Sequence, residues 1–168
     1  LVPLNTTDVV KIAKDKSLTY MVLKDLIKQP KTLQFLDPNI QKEYSKLVEY
    51  DSVEAIKTKI LEEFQLPIVI KMNSGERRRN LHFCKTEKSI VPALKSIFNK
   101  ESKDYDYIAL VQEKISFLKE YRIIIVDRKI ELIYEKNVFV EINADGLKSR
   151  LQEFINPMFK LVNLQYGG

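Results

Sequence analysis

The sequence predicts an α+β fold in which antiparallel sheets with flanking helices form two small lobes. Three patterns predict it. Apolar runs at 67–72 and 80–84 are joined by the polar segment N-S-G-E-R-R-R, the length of a hairpin with a long tip. A second pair of runs, 121–126 and 129–135, is joined by Asp127-Arg128. Around them lie segments whose apolar residues recur at three- and four-residue steps, as in helices that bury one face.

Taken in order, Thr6 or Thr7 can cap a first turn carrying Val9, Val10 and Ile12. Ser17 can cap a helix presenting Leu18, Met21, Val22, Leu26 and Ile27, which Pro30 stops; Asp15-Lys16 lies just before it. Residues 31–35 form a brief extended segment, Asp37-Pro38 a turn, and 41–50 a helical or irregular stretch. Ser52 caps a clear amphipathic helix with Val53, Ile56, Ile60, Leu61 and Phe64 in phase. The hairpin follows, then a helix over 86–99 with Ile90, Leu94, Ile97 and Phe98 inward and Pro92 in its first turn. Residues 108–112 read as a buried strand, and 121–126 with 129–135 as the second hairpin. A strand at 138–142 and a helix from Asp145, kinked at Pro157, complete the order, with Leu147, Leu151, Phe154, Ile155, Met158 and Val162 on the helix's apolar face. The expected divisions are 1–65, 66–115 and 116–168.

With 168 residues, 45% of them hydrophobic, the chain can build a substantial core. It has no apolar run of 18 residues and no basic-then-apolar leader, so the expectation is a cytoplasmic protein without a membrane partner. Residues 1–5 read as a start inside a larger protein. Cys84 is the only cysteine, which excludes an intrachain disulfide and a cysteine-based metal site. His82 is the only histidine and stands beside Phe83 on a strand, so it reads as packed on the sheet or facing solvent rather than as a catalytic base. The net charge of +5 is spread among 23 acidic residues, the composition of a mixed solvated surface. Its one dense cluster, Arg77-Arg78-Arg79, is a single loop and not a stripe, so nucleic acid is not the expected partner.

Lys71 ends the apolar run Ile68-Val69-Ile70. An ammonium leaving an apolar edge suits a phosphate, which would offset its desolvation; the alternative is a lysine marking the strand's exit to solvent. Ser74 and Gly75 would let the backbone approach a phosphate closely, or simply form a hairpin tip. Arg122, at the start of a strand, could hold a carboxylate or a phosphoryl group bidentately, or pair with Glu120.

Several short motifs occur together: D-K at Asp15-Lys16, P-I-V-I-K ending on Lys71, the Gly-bearing loop, Q-E-K-I at Gln112, Glu113, Lys114 and Ile115, and E-Y-R beginning at Glu120, seven positions after Glu113. Together they resemble the ATP-grasp superfamily of carboxylate-activating ligases, more narrowly the glutathione synthetase and RimK-like carboxylate-amine ligases. The resemblance covers most of the chain from Asp15 onward and implies an ATP-grasp-like fold with ATP and Mg²⁺ as cofactors. It implies that Lys16 and Lys71 contact phosphates under the loop of Ser74 and Gly75, and that Gln112, Glu113, Lys114 and Ile115 hold the adenine. Glu120 would bind the ribose, Lys136 would be a further phosphate contact, and Arg122 would be catalytic. The partner would be a carboxylate-bearing small molecule or peptide, activated as an acyl phosphate and attacked by an amine or thiol. An ATP-dependent small-molecule or inositol phosphate kinase, or a non-catalytic nucleotide- or nucleic-acid-binding module, are the alternatives. The three arginines depart from the small-residue loop of the family. Related ligases hold Mg²⁺ with an Asp strand and a later Glu-x-Asn strand. F-V-E-I-N, with Glu141 and Asn143, is similar to the latter, but it follows the 129–135 strand with no room for the intervening elements. The expectation is an ordinary strand there, with the second lobe incomplete at its C-terminus.

Overall fold

In the computed structural model, which describes residues 5–75, 79–136, 140–141 and 145–167, the chain divides into two compact units. One is Pro30–Ile115; the other joins Leu1–Gln29 to Ser116–Gly168. The α+β class and its antiparallel sheets are those expected from sequence. Pairing holds the first unit together: β1 (Thr32–Leu36) hydrogen-bonds to β4 (Ile108–Glu113), and α3 (Val53–Glu63) packs into the same core as the strands that follow it.

Within Pro30–Ile115, β2 (Ile68–Met72) and β3 (Leu81–Cys84) complete an antiparallel sheet in the order β1-β4-β2-β3. The period-2 alternation sends Phe35, Ile68, Ile70, Met72, Ala109 and Val111 to one face, where α3 and α4 (Ile90–Ile97) cover them. Ile56, Ile60, Ile68, Ile70, Ile90, Leu94 and Ile97 are fully buried, each contributing roughly 1.5–3 kcal/mol relative to exposure. Ser52 caps α3 as expected, its Oγ accepting from the Ala55 N–H at 3.2 Å. α4 is shorter than its predicted 86–99 because a 3₁₀ turn over Glu87–Ser89 precedes it. Pro92 stands in its first turn, where the missing N–H has no intrahelical partner to lose. The 41–50 stretch contains a 3₁₀ segment, Lys42–Leu47.

In the other unit, α1 (Thr7–Lys14) and α2 (Lys16–Leu23) are separated by one extended residue, Asp15. The cap of α2 is Asp15 and not Ser17: its carboxylate accepts from the Leu18 N–H at 2.8 Å, while Ser17 is buried inside the first turn. α2 also ends at Leu23, ahead of the predicted end near Ile27. β5 (Tyr121–Val126) and β6 (Lys129–Glu135) form the predicted hairpin, with both turn residues left-handed, Asp127 at φ 47° and Arg128 at φ 64°. β7 (Val140–Glu141) extends the sheet beyond β6, and β8 (Tyr166–Gly167), which sequence reasoning missed, pairs with β5. α5 (Asp145–Ile155) gives way at Asn156 to a 3₁₀ turn at the expected Pro157. Val9, Leu23, Ile125, Ile130, Ile133, Ile155, Met158 and Val162 form the core. The Asn5 side chain binds the backbone of β8 from outside, donating to the Tyr166 carbonyl at 2.7 Å and accepting from the Gln165 N–H at 2.9 Å. Among the described residues, no helix is long and apolar enough to cross a membrane.

Candidate functional site

The face of the β1-β4-β2-β3 sheet turned away from its helices carries Thr32 and Gln34 on β1, Leu110 and Gln112 on β4, Val69 and Lys71 on β2, and Leu81 and Phe83 on β3. Gln112 stands directly across from both Thr32 and Val69, which places Lys71 diagonally beside it. The Lys71 ammonium donates to Gln112 Oε1 at 2.5 Å, Gln112 Nε2 donates to Thr32 Oγ1 at 2.7 Å, and the Thr32 hydroxyl donates to the Pro30 carbonyl at 2.9 Å. Lys71 is therefore a fixed, half-buried cation on a sheet face and not a strand-end lysine trailing into water.

The hairpin tip is anchored by a residue that sequence reasoning missed. Asp106 is buried, and its carboxylate accepts from the Ser74 N–H at 2.7 Å, the Ser74 hydroxyl at 2.8 Å and the Ile108 N–H at 3.0 Å. Its signal was an acid two residues before a buried strand, the spacing at which Asp bonds its own backbone. Ser74 thus has a structural partner for both donors. Gly75 has a steric reason to be glycine: a Cβ there would stand 2.3 Å from the Met72 side chain. Asn80, left-handed at φ 45°, donates to the carbonyls of Ser96 and Asp104 and bonds His82 Nε2 at 2.6 Å through its Oδ1. His82 is packed on the helix-covered face, and burial lowers its pKa. Arg79 Nη1 lies 3.4 Å from a buried Asp104 oxygen, an ion pair without hydrogen-bond alignment. Arg77 and Arg78 lie outside the described residues.

Glu113 ends β4, with one oxygen accepting from the Lys31 N–H at 2.7 Å and its own N–H donating to the Lys31 carbonyl at 3.1 Å. Its carboxylate closes the end of the β1–β4 ladder, and Lys114 and Ile115 follow it, both exposed, at the end of the unit.

In the other unit, Lys136 pairs with Glu120 twice: its backbone N–H donates to the Glu120 carbonyl at 2.9 Å, and its ammonium forms a close ion pair with the Glu120 carboxylate. The alternative pairing of Arg122 with Glu120 is therefore not made, and among the described residues Arg122 has no ion-pair partner. Arg122 faces Tyr134 across β5–β6, and Tyr134 faces Glu141 across β6–β7, so the three hold one row of the sheet. Lys16 is the first residue of α2 and half-buried. Asn143 lies outside the described residues, as does most of F-V-E-I-N. Among the described residues, no three His, Cys, Asp or Glu side chains come close enough together to hold a metal ion. A groove of about 640 Å³ beside the Asp127-Arg128 turn and α5, lined by Lys129, Lys148 and Glu153 among others, contains none of these residues.

No family model and no curated protein matches the chain. Solved structures do. The D-alanine-D-alanine ligase of Coxiella burnetii is 17% identical with a TM-score of 0.71, over 98% of this chain and 44% of that one. The D-alanine-D-alanine ligase of Bacillus anthracis, solved in complex with ATP, is 17% identical with a TM-score of 0.64, over 96% of this chain and 48% of that one. A RimK domain ATP-grasp protein of Sphaerobacter thermophilus is 15% identical with a TM-score of 0.64, over 90% of this chain and 52% of that one. The fold is that of the ATP-grasp ligases, and the chain spans about half the length of the structures it matches.

Proposed function

We propose that the chain is the ATP-binding part of a cytoplasmic carboxylate-amine ligase. A substrate carboxylate attacks the γ-phosphorus of ATP, ADP leaves, and an acyl phosphate forms. The amine nitrogen, or a thiol sulfur, then attacks the acyl carbon and expels inorganic phosphate with loss of a proton. The observation that carries this reading is Lys71, a cation seated on a sheet face by a side-chain amide, in a fold shared with a ligase solved with ATP.

In this reading Lys71 and Lys16 neutralise the phosphates, and their charge counts most where negative charge moves during transfer. The backbone of 113–115 meets the adenine. Glu120 offers the ribose the oxygen that Lys136 does not hold. Arg122, exposed and on a strand, receives the substrate carboxylate or the transferred phosphoryl group. Mg²⁺, where the whole ligase binds it, would supply further charge neutralisation. The described carboxylates do not form a set for it, since Glu113 serves the Lys31 N–H and Glu120 serves Lys136.

Calorimetry tests the reading. ATP should bind more tightly than GTP, and Lys71→Met should weaken ATP binding by about 1.5–3 kcal/mol, the range for hydrogen bonds to charged groups. Its melting temperature should stay close to that of the unaltered protein. Equal affinity for the two nucleotides, or a large loss of stability with unchanged ATP affinity, would count against it.

A further inference from the structure

We propose that Thr32 is a positioning residue for Lys71, acting through the side-chain amide of Gln112; the proposal rests on the nucleotide reading above. The three side chains come from three adjacent strands, and what each group can donate or accept fixes the direction of every bond. An ammonium only donates, so the atom facing Lys71 must be the carbonyl oxygen of Gln112. That leaves the amide nitrogen to donate to Thr32 Oγ1, whose own proton goes to the Pro30 carbonyl. All three donors point the same way, and the chain of bonds ends on a backbone carbonyl that no rotamer change can move. Hydrogen bonds arranged in this order polarise one another.

Turning the Gln112 amide over would set its NH₂ against the Lys71 ammonium and its oxygen against a hydroxyl whose proton is already committed to Pro30. Thr32 is 5% exposed and Gln112 half-buried, so water competes poorly for these bonds. A lysine stem is rich in rotamers, and holding it in place before nucleotide arrives removes part of the ordering penalty of binding. With its amide oxygen on Lys71 and its amide nitrogen on Thr32, the Gln112 side chain serves Lys71.

Thr32→Val keeps the side-chain shape and removes the hydroxyl, whereas Thr32→Ser keeps the hydroxyl. ATP affinity and melting temperature are measured for both, for Lys71→Met, and for the double variant T32V/K71M. T32V should bind ATP about threefold to tenfold more weakly. T32S should recover most of that loss, and T32V should make no further difference once Lys71 is Met. An affinity unchanged by T32V overturns the positioning role and leaves the nucleotide reading standing. The same loss with and without Lys71 also overturns it, because the effect would then be general destabilisation. Absence of ATP binding by the unaltered protein overturns the nucleotide reading itself, and the role of Thr32 with it. If T32V does not fold, Gln112→Leu carried through the same cycle gives the same discrimination.

Discussion

At the residue scale, a side chain's partners are hidden in the sequence when they lie far along the chain. Lys71 was legible because a charge ending an apolar run stands out locally. Its partners were not: Gln112 is 41 residues away, and Thr32 is 80 residues from Gln112. Asp106, 32 residues on, takes the Ser74 hydroxyl, which nothing nearby in sequence shows. Glu63 illustrates a purely structural charge. The hydrogen bond from Lys59 first, and then that from Lys31, lower its pKa from 4.5 to about 2, with nitrogen–oxygen distances of 2.8 and 2.9 Å. A carboxylate with a lowered folded pKa contributes stability above its unfolded value and loses it as pH falls through the folded one. The window is therefore about pH 4.5 down to 2. Urea midpoints should show the unaltered protein losing its advantage over Glu63→Gln across that range, and high salt should shrink the advantage, since the cluster is partly exposed. A constant difference between the two proteins from pH 5 to pH 2.5 would show that these pairs contribute nothing.

At the element scale, strands long enough to alternate were legible and short ones were not. The hairpins at 68–84 and 121–135 carry enough β-branched residues to set their register, whereas β8 is two residues whose place is fixed by β5 and by the Asn5 side chain. The end of α2 was misread because the apolar period runs on to Ile27, although the backbone leaves the helix after Leu23. The β5–β6 turn was legible in place but not in conformation. Two-residue hairpin turns favour left-handed residues that match strand twist, and Asn-Gly supplies them most readily. Here Asp127 and Arg128 hold those angles with Cβ atoms present. Arg128→Gly should therefore stabilise the protein by about 0.5–1 kcal/mol, from roughly 1 kcal/mol of relieved left-handed strain, less a small loss. What is lost is the exposed Arg128–Asn163 bond of 2.6 Å; the Arg128 carbonyl still accepts from Gln152. A lower melting temperature in R128G would mean that the guanidinium contact outweighs the strain.

At the scale of the whole molecule, the chain order of the two units matters more than their composition. Pro30–Ile115 is continuous and contains all four strands of its sheet with α3 and α4, so its core closes through its own sequence. The other unit must bring Val9 and Leu23 to Ile125, Ile130 and Ile155 across the whole of the first. Closing that gap costs loop entropy before any apolar contact repays it, a cost that rises slowly with length but is absent from the continuous unit. Residues 30–115 alone should then fold cooperatively, since domains of this size can bury enough surface to stand alone. Residues 1–29 joined to 116–168 by a short linker should test the converse, because shortening the connection removes most of the closure entropy. Both can be followed by thermal unfolding and amide dispersion in NMR spectra. The 30–115 fragment should also keep the Lys71–Gln112–Thr32 bonds, seen as slow exchange of the Gln112 side-chain amide, because every partner lies inside it. A fragment without dispersed amides or a melting transition would show that the continuous unit depends on the rest of the chain for its stability.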